Sequence, residues 1–371
     1  MTLDTDKLSK EDSVYFTLKD IYGRAGYTHY RLRKFEEYSL YLENMSFLTS
    51  ESIITFNDAD GKLLALKPDV TLSIVKNTKA TVENGEKLYY RESVYRMDAR
   101  TREYREICQA GVESMGGNDL YSTLEIIMLA AESLKAIDCD FMLNISHMGF
   151  IRGMLADCGI TSEAVSAEIT EYINAKNCHD LRIFAEKAGV PADKAESLIE
   201  LISGKNDNDF ENMLRAAGRL ITGSKTAQAV AELEEIYAVI KDTPYSERIK
   251  LDFSIVSDMN YYNGIILRGY VRGVPKSVLS GGRYDKLMKR FNKAVGAMGF
   301  AINLSEVAAY YGTKPEYDAD ILLLYGNDDK PGDIFNAARQ LRKSGGSVLA
   351  ACSVPEGKKF KQIICLGDGN I

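Results

Sequence analysis

The spacing of apolar positions changes along the chain, and each change marks an element. Residues 7–25 carry apolar Val14, Phe16, Leu18 and Ile21 and a Gly-rich end at Gly23 and Gly26, so they predict a helix. Residues 27–38 predict a strand running into a helix. Residues 53–56 and 63–66 are β-prone runs around Asp60-Gly61, a pair that supplies a positive-φ turn, and they predict a hairpin. A second pair of extended runs covers 88–95, which is rich in aromatics, and 105–115, where Ile107, Gln109 and Val112 stand in extended spacing. Leu120, Leu124, Ile127, Leu134 and Ile137 predict an amphipathic helix over 119–137, and 141–145 reads as a buried strand. His147, just after that strand, reads as a structural polar residue. Residues 150–245 then become all-helical. Val165, Ile169 and Ile173 form one stripe, and Val230, Leu233, Tyr237 and Ile240 another. β-rich runs return over 251–270, where Asn263-Gly264 is the strongest hairpin signal in the chain. From 318 onward, strand 321–325, helix 331–343, strand 347–351 and the run 360–366 read as a separate small α/β unit.

Composition narrows the classes. The chain has 371 residues, 45% of them hydrophobic, enough for a large core and two or three domains. A formal net charge of −7 gives no support to RNA or membrane binding. Six cysteines without a CxxC pair, and three scattered histidines, make no zinc pattern and read as reduced intracellular thiols. No apolar N-terminal segment and no membrane-length apolar run occur, so a soluble cytoplasmic protein is expected. Charge gathers at two places. Five arginines lie between Arg91 and Arg105. The planar fork of arginine suits carboxylate or phosphate, although a solvated hairpin tip accounts for the same charge. The stretch 268–290 carries seven basic residues against Asp285, and it reads either as an anion site or as a solvated face.

Arg96 at the end of one run, a charged loop, and then Arg105-(x)3-Gln109-(x)3-Glu113 on the return run resembles motif 2 of class II aminoacyl-tRNA synthetases, in the version of histidyl-tRNA synthetase. The resemblance implies that Arg96 sits where that family meets the ATP phosphates, with Arg105 beside it, and that Gln109 and Glu113 sit where it grips histidine. Three further blocks stand in the family's order. Leu66-Lys67-Pro68-Asp69-Val70-Thr71 is similar to Leu-Arg-Pro-Glu-Gly-Thr, whose carboxylate holds the amino group of histidine. Asp69 equally reads as a cap for a helix over 71–76, and both roles can hold at once. Residues 258–264 resemble Arg-Gly-Leu-Asp-Tyr-Tyr-Thr-Gly, which implies that Tyr261 and Tyr262 close the histidine pocket, with Ser257 in place of the leading arginine. Ser280-Gly281-Gly282-Arg283-Tyr284-Asp285 and residues 297–306 resemble motif 3. There Asn303 replaces a glycine beneath the adenine, and Glu306 replaces the arginine that pairs with the γ-phosphate.

The resemblance covers roughly 10–315 and implies an α+β fold: a class II synthetase-like antiparallel sheet flanked by helices. The core would span 1–317 and carry a helical insertion at 150–245. A truncated α/β domain like an anticodon-binding domain would follow at 318–371. Helix 7–25 would be the motif 1 helix at a dimer interface, although the motif 1 proline is absent. The tail holds seven acids and seven bases, which makes a poor tRNA platform. Adenylation needs fixed cations around the phosphates, and loss of one preorganised donor typically costs about 3 kcal/mol of barrier. Arg96 remains, while Ser257 and Glu306 stand where two others were. The histidine-side set Asp69, Thr71, Gln109, Glu113, Tyr261 and Tyr262 is kept. That combination is similar to the regulatory subunits of ATP phosphoribosyltransferase, paralogues of histidyl-tRNA synthetase in histidine biosynthesis. It implies a chain with no catalytic residues, cofactor or metal of its own, and no aminoacylation of tRNA. Its partner would be the short-form catalytic subunit, its effector histidine, and its assembly a homodimer within a hetero-octamer, away from membranes. A working histidyl-tRNA synthetase, a histidine-binding module for another partner and an RNA-binding pseudo-synthetase stay open as alternatives.

Overall fold

Alternating side chains decide the two faces of the central sheet, and the elements follow from which face each segment covers. The computed structural model describes residues 8–48, 52–98, 101–117, 119–160, 162–203, 209–221, 223–256, 261–312 and 317–367. Ser257 lies outside them, as do the other residues of 257–260. The chain divides into two compact units, Met1–Tyr311 and Gly312–Ile371.

In the first unit the order is α1 (Lys10–Arg24), β1 (Thr28–His29), β2 (Phe35–Glu37), α2 (Tyr38–Leu42), β3 (Thr55–Asn57), β4 (Leu63–Leu66) and α3 (Thr71–Asn77). The long pair β5 (Glu86–Met97) and β6 (Tyr104–Met115) comes next, followed by α4 (Leu120–Ile137) and β7 (Phe141–His147). Helices α5 (Met148–Asp157), α6 (Glu163–Asn174), α7 (Cys178–Lys187), α8 (Ala192–Ile202), α9 (Phe210–Arg219) and α10 (Ser224–Ile240) follow, with no strand between them among the described residues. Strands β8 (Ile249–Leu251), β9 (Ile265–Val271) and β10 (Leu279–Arg283), helix α11 (Asp285–Arg290), strand β11 (Ala297–Asn303) and helix α12 (Leu304–Tyr311) complete the unit.

Eight strands form the main sheet in the order β1-β5-β6-β11-β10-β9-β7-β8. Its six inner strands pair antiparallel, while β1 on β5 and β8 on β7 are parallel. One face packs on α1, α4 and α12, where Leu18, Tyr22, Ile127, Leu134, Val112, Phe300 and Val307 are buried. Helix α4 begins where the Asp119 carboxylate accepts the Ser122 N–H at 2.8 Å, an N-cap that satisfies one of the open donors of the first turn. The opposite face carries Gln109, Glu113 and Tyr90, and a second apolar cluster with Leu72, Ile74 and Tyr284 closes over part of it.

Two expectations are corrected here. The strand expected to run into a helix over 27–38 is split into β1 and β2, and only β2 runs into a helix, α2. β1 joins the main sheet, whereas β2 pairs with β4 in a separate sheet of order β2-β4-β3; between them the Leu32 N–H donates to the Glu92 carboxylate at 3.0 Å. The 53–66 hairpin does form, turning at Gly61 with φ 80°. Asn263-Gly264 is not a hairpin turn. Asn263 N–H bonds the Arg283 carbonyl at 3.0 Å and the Gly264 carbonyl accepts from Met148 N–H at 2.9 Å. Those groups are committed across the sheet, and β9 turns back to β10 only after residue 271. His147 is structural. Its Nδ1 accepts the Phe150 N–H that opens α5, so Nε2 carries the proton and donates to Glu232 at 3.1 Å.

The second unit runs β12 (Ala319–Leu324), α13 (Pro331–Lys343), β13 (Val348–Ala351) and β14 (Phe360–Cys365). Its three strands are parallel in the order β13-β12-β14. Leu323, Ala337 and Ala338 form its small core. Among the described residues, no helix of the chain is long and apolar enough to cross a membrane.

Candidate functional site: an acid-floored cavity on the open face of the sheet

Glu113 sits near the end of β6, four residues after Gln109, so both side chains leave the same face. Register sets Gly299 of β11 opposite Glu113 and Asn303 opposite Gln109. A Cβ at position 299 would come within 1.9 Å of Glu113 Oε2 and 2.4 Å of the Val112 carbonyl. Glycine there is what leaves the carboxyl room to lie flat on the sheet. Gly111 plays the same part for Tyr90, whose hydroxyl would stand 2.6 Å from a Cβ at that position.

These groups floor a cavity of about 390 Å³. Its walls include Asp69 and Thr71 at the start of α3, Arg96 near the end of β5, and Tyr261 and Tyr262 ahead of β9. Ser280 and Ala301 extend the floor toward β10. Glu113 is 2% exposed and accepts from Thr71 Oγ1 at 2.9 Å and from Tyr284 OH at 2.6 Å. Burial pushes its carboxyl up to about 8, against the pull of the two hydroxyl donors and with further upward pressure from Asp69. Burial also raises Asp69, offset by Arg96, whose guanidinium stands 3.7 Å away, and by the Leu72 N–H at 2.8 Å. Asp69 therefore tethers the first turn of α3, as the cap reading expects, and it also lines the cavity. Tyr261 and Tyr262 meet edge to face at 4.6 Å. The Tyr262 carbonyl accepts from Arg152 of α5 at 2.6 Å, which ties the tyrosine segment to the first helix after β7.

All six residues singled out on the histidine side line this one cavity, together with Arg96. Arg105 stands directly across the hairpin from Arg96 but outside the lining; it is half exposed and lies 3.5 Å from Asp98. Glu306 belongs to the first turn of α12 and also lies outside the lining, and its N–H is capped by the Asn303 carboxamide at 2.9 Å. Ser280 and Tyr284, read only as part of the motif 3 block, also line the cavity, as do Tyr90 and Phe47, which the sequence did not single out as site residues. Counting register from Glu113 would have found Tyr90, which shares its face. The basic stretch 268–290 is no single patch. Arg283 turns inward to Glu232 and Thr123, each at 2.7 Å, and Arg290 bonds Asn44 and the Glu43 carbonyl.

The cavity can hold a small ligand with two donor groups, one for each carboxyl, against aromatic walls. Its position on an antiparallel sheet, behind a long charged hairpin, defines a protein of the class II synthetase-like kind. The histidyl-tRNA synthetase family pattern matches residues 3–307. An ATP phosphoribosyltransferase regulatory subunit from Caldanaerobacter subterraneus is 31% identical over 364 residues, which covers 94% of this chain and 93% of the relative. The structure is similar to one from Bacillus halodurans described as an ATP phosphoribosyltransferase regulatory subunit/histidyl-tRNA synthetase, with TM-score 0.78 at 22% identity, over 96% of this chain and 93% of that one. A chain of an ATP phosphoribosyl transferase complex from Thermotoga maritima superposes with TM-score 0.62 at 16% identity, over 81% of this chain and 97% of that one. The chain belongs to the histidyl-tRNA synthetase-like family of ATP phosphoribosyltransferase regulatory subunits.

Proposed function

We propose that this chain is the non-catalytic regulatory subunit of an ATP phosphoribosyltransferase, which activates the short-form catalytic subunit and conveys feedback by histidine at the first step of histidine biosynthesis. The observation that carries the reading is the split within the site. The cavity keeps its two carboxyls, Thr71, Gln109 and both tyrosines, while the helix start where a γ-phosphate arginine would stand presents Glu306. A carboxylate there repels phosphate, so the amino-acid half persists without the adenylating half. In this reading the deep acid Glu113 takes an imidazole N–H, Asp69 takes the ammonium, and Tyr261 and Tyr262 cover the ring. Histidine controls the partner only by binding the active and inhibited assemblies with different affinity, since a ligand shifts an equilibrium only by that difference. We place the chain in the cytoplasm, as a homodimer within a hetero-octamer. The test is phosphoribosyl-ATP formation by the short catalytic subunit, with and without this chain, under a histidine titration. Activation that histidine reverses is expected. No activation, in a mixture where sedimentation shows no complex, refutes the reading.

A further inference from the structure

The cavity lining has one cation, Arg96, among the described residues, and it is already engaged: Nε donates to the Pro68 carbonyl at 2.7 Å and the guanidinium faces Asp69. A zwitterionic ligand held at Asp69 and Glu113 therefore still lacks a counter-charge for its carboxylate. One strand beyond the floor residue Ser280 stands Arg268 of β9, directly across from it in register and so on the same face. Arg268 is half-buried, and while its backbone is paired within the sheet, its guanidinium makes no hydrogen bond or ion pair with any described residue. Burial raises the Tyr262 phenol at the cavity wall, with Glu113 and Asp69 adding to it, and the Arg268 guanidinium is among the charges that pull the other way. Its other cross-strand neighbour, Asn144, is buried with a carboxamide oxygen that has no partner. A guanidinium offers five N–H donors, and leaving them unmet at a half-buried position is costly unless an acceptor arrives.

We propose that Arg268 receives the α-carboxylate of the amino acid held in this cavity, and is the residue by which the pocket tells an amino acid from the corresponding amine. The proposal rests on the histidine-pocket reading above. A planar fork meets a carboxylate with two parallel hydrogen bonds, while a neutral replacement at 268 removes the charge and leaves the acid-lined end untouched.

Calorimetry on the full chain separates the possibilities, with L-histidine and with histamine, which lacks the carboxylate. Wild type is expected to prefer histidine. Arg268→Gln should weaken histidine by about 10- to 100-fold, the range for a charged hydrogen bond, and leave histamine unchanged. Arg268→Lys should fall between. Histamine binding reports that the variant pocket is folded. Histidine bound by Arg268→Gln as tightly as by wild type overturns the proposal, and so does equal loss of both ligands, which marks a structural role. Wild type that binds neither ligand overturns the histidine-pocket reading itself, and the proposal with it.

Discussion

Replacing Glu113 by glutamine isolates the deep acid of the cavity. Glutamine keeps the shape; like the protonated acid it has one donor end and one acceptor end, so one of the two hydroxyls that face Glu113, Thr71 or Tyr284, turns to accept while the other still donates. The folded carboxyl titrates at about 8 against an ordinary value of 4.5. Between those values the unfolded chain has lost the proton that the folded chain still holds. Stability from this group is therefore complete below 4.5, falls as pH rises, and is gone above 8. At about 1.4 kcal/mol per pKa unit the full swing is roughly 4 to 5 kcal/mol. Glutamine does not titrate. Urea unfolding followed by far-UV circular dichroism, at pH 5, 6, 7, 8 and 9, should show the two proteins close at pH 5 and the variant progressively more stable above it. The gap should reach roughly 4 kcal/mol by pH 9. Two parallel profiles would refute the claim that Glu113 is held protonated by burial.

Two further outcomes follow from the packing. Lys67 and Glu92 form an ion pair at 2.5 Å with the lysine side chain 1% exposed. Lys67→Met should cost about 3 to 5 kcal/mol in urea unfolding by stranding the acid, and the double change with Glu92→Leu should recover most of it. Gly299→Ala drives a methyl against Glu113 and the Val112 carbonyl; histidine binding by calorimetry should vanish, with a stability loss near the upper end of the roughly 1 to 3 kcal/mol typical of overpacking.

What the chain reveals of itself by inspection depends on how local the cause is. The β5–β6 pair, α4 and α13 announce themselves because spacing, caps and turn residues lie within each segment; Pro331 and the basic Arg342 and Lys343 bracket α13 without help from elsewhere. Tyr90 and the Lys67–Glu92 pair did not, because their partners are set by register and by a crossing of distant segments. Asn263-Gly264 misled for the same reason: its turn propensity lost to hydrogen bonds reaching Arg283 and Met148. The cavity was readable through motif blocks whose members converge, whereas Arg268 looked like one charge in a basic run until β10 was laid beside β9.

The parallel pairing of β8 on β7, Leu143 beside Ile249, sets a limit on how this chain can be trimmed. Parallel neighbours need a crossover of a dozen or more residues, because the chain must travel back along the strand before it can pair again. The six helices α5–α10 are that return path. A clean excision that joins residue 147 to residue 249 leaves β8 no route to its place. The outer strand is lost with the helices, and the edge of the sheet becomes β7.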